Sequence, residues 1–297
     1  MSVKLRHLSI FIAAVFLVSH AQVLAATITF EVLATFDYPG ANAYTTADGI
    51  NERGDVAGTY YDQGSVYRGF VRFGNGRFSD PINEPNTFSF TFASGINSSR
   101  TVCGSFFRAF EGYQGYILSG GTFTEFALSA SSTFIIDIND GGNFCGNTLN
   151  PDEGFVSIGG TVTILSLGGQ VQTSVGGINN FDQVVGHYVE GTSRFGFRRD
   201  ADGTLQYPIA VASALKTQLE GINDNGQMVG SVSNDGISWS AVFFLSPGQH
   251  VLYNYPGAAN TYFDGINNRG LICGSYYKGT GTGVGRHGFI VRMKPVL

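Results

Sequence analysis

The tripeptide Gly-Ile-Asn recurs down this chain in a fixed register, and that repetition constrains the fold more than any other feature. It stands at 49–51, 95–97, 177–179, 221–223 and 265–267, and Asp137-Ile138-Asn139 fills the same place in a third copy. A threonine always lies four residues before the first position: Thr45, Thr91, Thr133, Thr173, Thr217 and Thr261. A glycine always lies seven residues after the Asn: Gly58, Gly104, Gly146, Gly186, Gly230 and Gly274. The isoleucines are separated by 46, 42, 40, 44 and 44 residues. Periods of this length are the signature of arrays in which each repeat is one supersecondary unit.

Each repeat reads as four strands. The first runs from Thr to Ile and ends at a tight turn such as Asn223-Asp224-Asn225-Gly226. Asn at the first turn position bonds its own backbone, and Gly at the fourth tolerates positive φ. Arg100 and Asp182 hold that Gly place in repeats two and four, so strained or different turns are expected there. The second strand is short and apolar. The third opens on a Gly-aromatic pair, as in Gly69-Phe70, Gly115-Tyr116, Gly154-Phe155, Gly196-Phe197 and Gly288-Phe289; repeat five departs with Ala241-Val242. The fourth alternates, as in Thr122-Phe123-Thr124-Glu125-Phe126.

Four strands per period of this length is the arithmetic of propeller blades, whereas solenoid coils are usually shorter. The expectation is all-β: a six-bladed β-propeller of four-stranded antiparallel blades. The last repeat runs out after its third strand, near Val291. The chain after the leader opens on an orphan fourth strand, Ile28 to Phe36. Asp37-Tyr38-Pro39-Gly40-Ala41 after it mirrors Asn254-Tyr255-Pro256-Gly257-Ala258 after the fourth strand of repeat five. The N-terminal strand is therefore expected to complete the last blade, which removes a free sheet edge.

Residues 1–25 read as a signal peptide. Lys4 and Arg6 precede an apolar stretch from Leu8 to Val18, and Val23-Leu24-Ala25 fits the small-residue cleavage rule. The stretch is short for a membrane span, so no span is expected after cleavage, although an uncleaved anchor is the alternative. Residues 26–297 then form a single six-repeat domain, secreted or held in the periplasm or at the cell surface. The formal charge is −5 and becomes more negative when the leader goes, which argues against a nucleic-acid partner. Cys103, Cys145 and Cys273 each precede the repeat glycine, where other copies carry Ala57, Val185 and Val229. A slot shared by Ala, Val and Cys reads as a small buried apolar slot, with a disulfide or a reactive thiol as the alternative.

The Gly-Ile-Asn turns, the Gly-x-Tyr strands and His287-Gly288-Phe289 resemble the bacterial extracellular repeats known as the HAF family, over the whole chain after the leader. The resemblance implies a secreted bacterial origin and says nothing about activity. His287 matches the motif, while Arg68, Gln114, Glu153, Phe195 and Ser240 stand at its place in the other copies.

Alternate loops of antiparallel strands fall on opposite faces. The second-to-third and blade-to-blade loops share the face that varies in length, which is the candidate binding surface. It offers Tyr60, Tyr61, Phe106, Phe107, Arg108, Tyr188, Trp239, Tyr276, Tyr277, Arg286 and His287. Aromatic rings beside polar groups suit a glycan or a peptide; the competing role for each ring is blade–blade packing. Asp48, Glu220 and Asp264 precede the Gly of Gly-Ile-Asn in consecutive blades of a closed ring. They are candidate ligands for calcium, or else caps of neighbouring turns. No other cofactor is indicated. Asp200-Ala201-Asp202-Gly203 lacks the remaining spacing of a calcium loop. Ser233–Trp239 resembles the Asp-box turn of glycan-processing propellers but is one residue short. No nucleophile, His-pair or phosphate-loop motif is present. The reading is an exported non-catalytic binding module for a glycan or peptide. The rivals are an enzyme acting on polysaccharide or cell wall, a hydrolase or lyase using carboxylates such as Asp48, Glu220 or Asp264, and a structural or adhesive envelope protein.

Overall fold

The computed structural model describes residues 27–296 apart from 86–89, 129–131, 168–171, 213 and 280–284. The expected leader and its cleavage point lie outside the described residues. Among those described, the chain is all-β with no helix.

Repeats two and three each form a four-stranded antiparallel sheet: Thr91–Ile96, Val102–Arg108, Gly112–Ser119 and Thr122–Phe126, then Ser132–Ile138, Phe144–Leu149, Glu153–Ile158 and Thr161–Leu165. Repeats four and five do the same, and a single parallel bridge from Arg194 to Lys216 joins their sheets. Thr27–Phe36 pairs antiparallel with Arg286–Val296, so the N-terminal strand is the fourth of the last sheet.

Repeat one departs from the four-strand expectation. Its sheet has three strands, Gly49–Ile50, Val56–Tyr61 and Tyr67–Arg72, and the fourth is reduced to isolated bridges from Arg72 to Phe78 and Gly69 to Ile82. Pro81 lies between those bridges and has no N–H to give a ladder.

The repeat residues are explained by packing between neighbours. Six apolar clusters each combine consecutive repeats, and one unites Leu271, Cys273 and Ile290 of the last with Ala47, Val56 and Phe70 of the first. The three cysteines are buried and free in these seams, as the shared apolar slot implied. The third-strand glycine leaves room for the next repeat's inner strand. A Cβ at Gly115 would lie 2.8 Å from the Ile135 side chain, and one at Gly154 2.8 Å from Val175.

The turn asparagines form a closed cycle. Asn51 Nδ2 donates to the Asn97 carbonyl, Asn97 to Asn139, Asn139 to Asn179, Asn179 to Asn223, Asn223 to Asn267, and Asn267 back to Asn51, all at 2.9–3.1 Å. Every one is buried. Each Oδ1 also accepts backbone N–H groups of its own turn where the bonds are resolved, as Asn223 does from Asn225 and Gln227. A second set of bonds lies beside it, from Ser98 N to Asp140, Asp140 N to Asn180, Asn180 N to Asp224, Asp224 N to Asn268 and Asn268 N to Glu52.

The two turns lacking Gly keep the common geometry. Arg100 and Asp182 adopt φ of 65° and 57° and make the same turn hydrogen bond as the glycines. The left-handed conformation costs a non-Gly residue about 1–2 kcal/mol. Both side chains are tied across the repeat boundary: Arg100 to Asp55 at 2.7 Å, and Asp182 to the amides of Asn139 and Asn143 at 2.8 Å.

Candidate site: an aromatic mouth above a ring of carboxyl groups

The inner strand of each repeat alternates between core and axis. In repeat two Thr91 and Ala93 are buried, while Phe92 and Ser94 are partly open to the axis. A β-bulge interrupts this alternation at one place in every repeat from two to six. Ala93 faces Gly104 and Gly95 faces Cys103, so Ser94 is the extra residue. Ile136, Gly176, Glu220 and Asp264 hold that place in the next four. Bulges re-aim a side chain and terminate pairing. The invariant repeat glycine makes this one possible: a Cβ at Gly104 would lie 1.9 Å from the Phe92 carbonyl oxygen, and one at Gly230 1.9 Å from that of Gln218.

The bulged residues line an axial cavity of about 200 Å³ together with the Gly-Ile backbone. Asp48, Glu220 and Asp264 all face it, and so does Asp137, the residue that replaces Gly in the third Gly-Ile-Asn. At the waist the backbones are in contact: a Cβ at Gly49 would meet Gly95 Cα at 2.9 Å, and one at Gly221 would meet Gly265 Cα at 3.1 Å.

Removal from water favours the protonated form of each carboxyl. Burial raises Asp137 to about 7, against the pull of the N–H groups of Ile178 and Ile138 on its two oxygens. Burial and then Asp264 raise Glu220 to about 8, with Arg194 opposing. Burial and then the charge of Asp264 shift Asp48 upward, and burial shifts Asp264 upward, with Arg286 opposing both. Asp48 accepts from Thr46 Oγ1 at 2.6 Å and Asp264 from Ser275 Oγ at 3.0 Å. The three expected metal ligands share one cavity, together with Asp137.

Above the carboxyls the mouth is walled by rings. Tyr44 meets Tyr67 at 5.5 Å between centroids, Tyr67 stacks on Phe92 at 5.4 Å, Phe92 meets Tyr113 at 6.1 Å, and Tyr113 meets Phe134 at 4.8 Å. On the other side Trp239 meets Tyr262 at 6.0 Å and Tyr262 meets Tyr277 at 5.9 Å. Arg286 joins the two arcs. Its guanidinium lies 5.6 Å from the Tyr44 ring, 5.7 Å from Tyr262 and 5.5 Å from Tyr277, and it donates to Ser275 Oγ and Tyr44 Oη. Seven of these rings and Arg286 come from the inner strands and the starts of the third strands. A cavity of about 360 Å³ opens between Tyr44, Phe92, Tyr113, Phe134 and Arg286, and shares Asp48 and Ser94 with the axial one.

The residues expected on the variable face divide between two environments. Tyr61, Phe107, Trp239, Tyr277 and Arg286 join the aromatic wall or its upper tier; Tyr61 touches Tyr67, and Phe107 touches Tyr113. Tyr60, Phe106, Tyr188 and Tyr276 are buried in the seams and do not reach the mouth. They alternate with the exposed positions on the same strands, so Tyr60 stacks on Tyr38 at 4.0 Å and Tyr276 on Tyr255 at 3.9 Å. Arg108 turns outward to Glu125 at 2.7 Å. His287 pairs with Asp37 at 2.9 Å and leans on Tyr276, away from the axis. Asp235 in the Ser233–Trp239 turn accepts from the N–H groups of Ile237 and Ser238, which lower its pKa.

Sequence inspection missed Tyr44, Phe92, Phe134, Tyr262 and Asp137. The first four had a signal: Phe92, Phe134 and Tyr262 each follow a repeat threonine, at a place held by Thr46, Ser174 and Gln218 elsewhere, and Tyr44 precedes one. Asp137 was visible only as a broken Gly-Ile-Asn.

No protein-family model matches the chain, and no curated protein matches it. Solved structures do. The β-propeller domain of the Trilobed protease from Pyrococcus furiosus aligns with a TM-score of 0.51 and 12% identity over 84% of this chain and 82% of that one. A mutant of AofleA from Arthrobotrys oligospora aligns at 0.53 and 11% over 91% and 90%. TolB from Acinetobacter baumannii aligns at 0.53 and 10% over 84% of this chain, which spans 56% of it. At such identities the likeness concerns the fold alone, and it is that of a β-propeller scaffold.

Proposed function

We propose that this chain is an exported six-bladed β-propeller of the HAF-repeat kind, closed by its N-terminal strand, and that it is a non-catalytic module binding a glycan in its axial mouth. The aromatic wall round Arg286 carries the reading. Partly exposed rings side by side on rigid inner strands are costly to leave in water. They offer apolar faces to pyranose rings, while Arg286, Tyr44, Ser94 and Ser105 offer hydrogen bonds to hydroxyls. The six-blade assignment rests on the closed asparagine cycle and on the pairing of Thr27–Phe36 with the last repeat.

A melting screen of residues 26–297 against a glycan panel tests the proposal, followed by calorimetry with the best ligand. Phe92→Ala removes one stacking face worth about 0.5–1.5 kcal/mol beyond its buried area. We expect roughly three- to ten-fold weaker binding or more. A panel in which no glycan raises the melting temperature, or a ligand indifferent to Phe92→Ala, refutes the assignment. One observation favours a second reading, a polysaccharide hydrolase or lyase: Asp48 lines both the aromatic cavity and the axial one, where it meets Asp264. Recovery of shortened glycan after incubation, abolished by Asp264→Asn, establishes that reading in place of the first.

A further inference from the structure

The mouth has a second half that is not aromatic. A cavity of about 210 Å³ opens between repeats three and four, lined by Asn147, Asp152, Gln172, Ser174, His187 and Arg194 among others, with no Phe, Tyr or Trp. It continues the wall in register. Ser174 follows its repeat threonine as Phe92 and Phe134 follow theirs. Arg194 stands two residues before the third-strand Gly, where Tyr67, Tyr113 and Arg286 stand in their repeats.

Among the described residues, two donors lining this cavity have no acceptor. The Arg194 guanidinium makes no hydrogen bond or ion pair among the described residues, in contrast to Arg286, which is held by Ser275, Tyr44 and three rings. His187 Nδ1 is buried and without a partner. The protonation of that imidazole follows from its other nitrogen. Gln218 Nε2, an amide nitrogen that can only donate, lies 3.4 Å from His187 Nε2. Nε2 therefore accepts, and the neutral ring carries its proton on Nδ1. Burial, and then the charge of Arg194, hold the imidazole pKa down at about 3, so the ring is neutral at ordinary pH. A buried N–H with no acceptor is rare in native proteins, and a bound partner is one way to satisfy it. A fixed neutral donor beside an unpaired guanidinium suits an anionic oxygen pair. Asn147 is committed to the Val175 backbone and Gln172 Nε2 donates to one Asp152 oxygen, which leaves the other Asp152 oxygen as an acceptor for a neighbouring hydroxyl.

We propose that this cavity is a carboxylate subsite, so that the glycan taken by the mouth is an acidic one built on uronic acid residues. The proposal rests on the glycan-binding reading above and adds the ligand's charge. Pyranose rings stack on the aromatic half, and a uronate carboxylate reaches Arg194 and His187 on the polar half. Arg is suited to this task because its planar fork matches a carboxylate.

The test is calorimetry on the mature chain with an oligogalacturonate and with the same oligomer as its neutral methyl ester. The acid should bind about ten- to hundred-fold tighter, the worth of one charge-assisted hydrogen bond. Arg194→Gln should abolish that preference by weakening the acid far more than the ester, and an unchanged melting temperature of the free variant reports that it is folded. Added salt should weaken the acid and spare the ester. Equal affinities of wild type for acid and ester overturn the subsite and leave the glycan-binding reading standing. Binding of other neutral glycans but neither oligomer overturns it too. Arg194-dependent binding of an acidic peptide without uronate binding overturns the glycan assignment. If Arg194→Gln does not fold, the wild-type comparison of acid with ester decides alone.

Discussion

Asn223 is the residue at which the closed cycle can be broken with the least collateral change. Its side chain is 3% exposed and makes four hydrogen bonds. Oδ1 accepts from the backbone of Asn225 and Gln227; Nδ2 donates to Gln227 Oε1 and, across the repeat boundary, to the Asn267 carbonyl. Asn223→Ala leaves the N–H groups of Asn225 and Gln227 without their acceptor and removes one of the two donors to the Asn267 carbonyl, which keeps the Gly270 N–H. A buried orphan costs about 1–3 kcal/mol. Both turn N–H groups are only partly buried and water recovers part of this, so we expect a loss of about 2–4 kcal/mol. That is a large share of the ~5–15 kcal/mol that holds a domain together. Asn223→Asp isolates the contact between repeats. It keeps both N–H acceptances but sets a carboxylate against the Asn267 carbonyl and Gln227 Oε1. Those acceptors raise the folded-state pKa of the new carboxyl. The sign follows: the penalty is small below the unfolded value of about 4, where the protonated acid can donate, and grows as pH rises through the folded value. Urea titrations at pH 4.5 and 8, with Asn225→Ala as the exposed control on the same turn, measure this. A change below about 1 kcal/mol for Asn223→Ala, or no pH dependence for Asn223→Asp, would refute the claim that the cycle holds the repeats together.

Gly104→Ala should prevent folding or cost about 3 kcal/mol or more. Its Cβ falls 1.9 Å from a backbone carbonyl that the bulge cannot move away; Cys103→Ala, one residue away, should cost less and remain folded in the same denaturation assay. Glu220→Gln should raise the melting temperature at pH 8–9 and leave it nearly unchanged at pH 5. The native Glu220 is raised to about 8, so its stabilising share is complete near pH 4 and is lost as pH climbs through that value. Removal of residues up to 40 exposes the edge of Arg286–Val296 and strips Phe30 from its contacts with Phe243, Tyr253 and Phe263. The shortened chain should self-associate in sedimentation experiments, and a soluble, cooperatively melting monomer would count against closure by that strand.

Much of the fold was legible in the chain because its constraints are local and repeated sixfold. The Asn-to-Gly turns, the obligatory glycine seven residues on and the Gly-aromatic third strand each answer to a backbone bond or a close approach within one or two neighbouring repeats, so they appear as an invariant register. The pairing of the N-terminal strand with the last repeat was readable as a missing strand at one end and a surplus strand at the other. The shortened fourth strand of repeat one was not, since it depends on where Pro81 meets the ladder.

The site was legible only in outline. Asp48, Glu220 and Asp264 could be grouped by position, but the bulge that turns them toward the axis shifts the face by one residue, and a strict two-residue alternation would misplace everything beyond it. The same shift lets Asp137 join them from a different letter of the motif. Tyr60 and Tyr61, or Tyr276 and Tyr277, are alike as sequence. One of each pair stacks in a seam and the other reaches the mouth, because neighbours on a strand point to opposite sides of the sheet. The chain by itself determined the repeat, its turns and its strand complement. The tertiary structure decided which rings face the axis and which donors are left without acceptors, because those depend on contacts between repeats that no single repeat encodes.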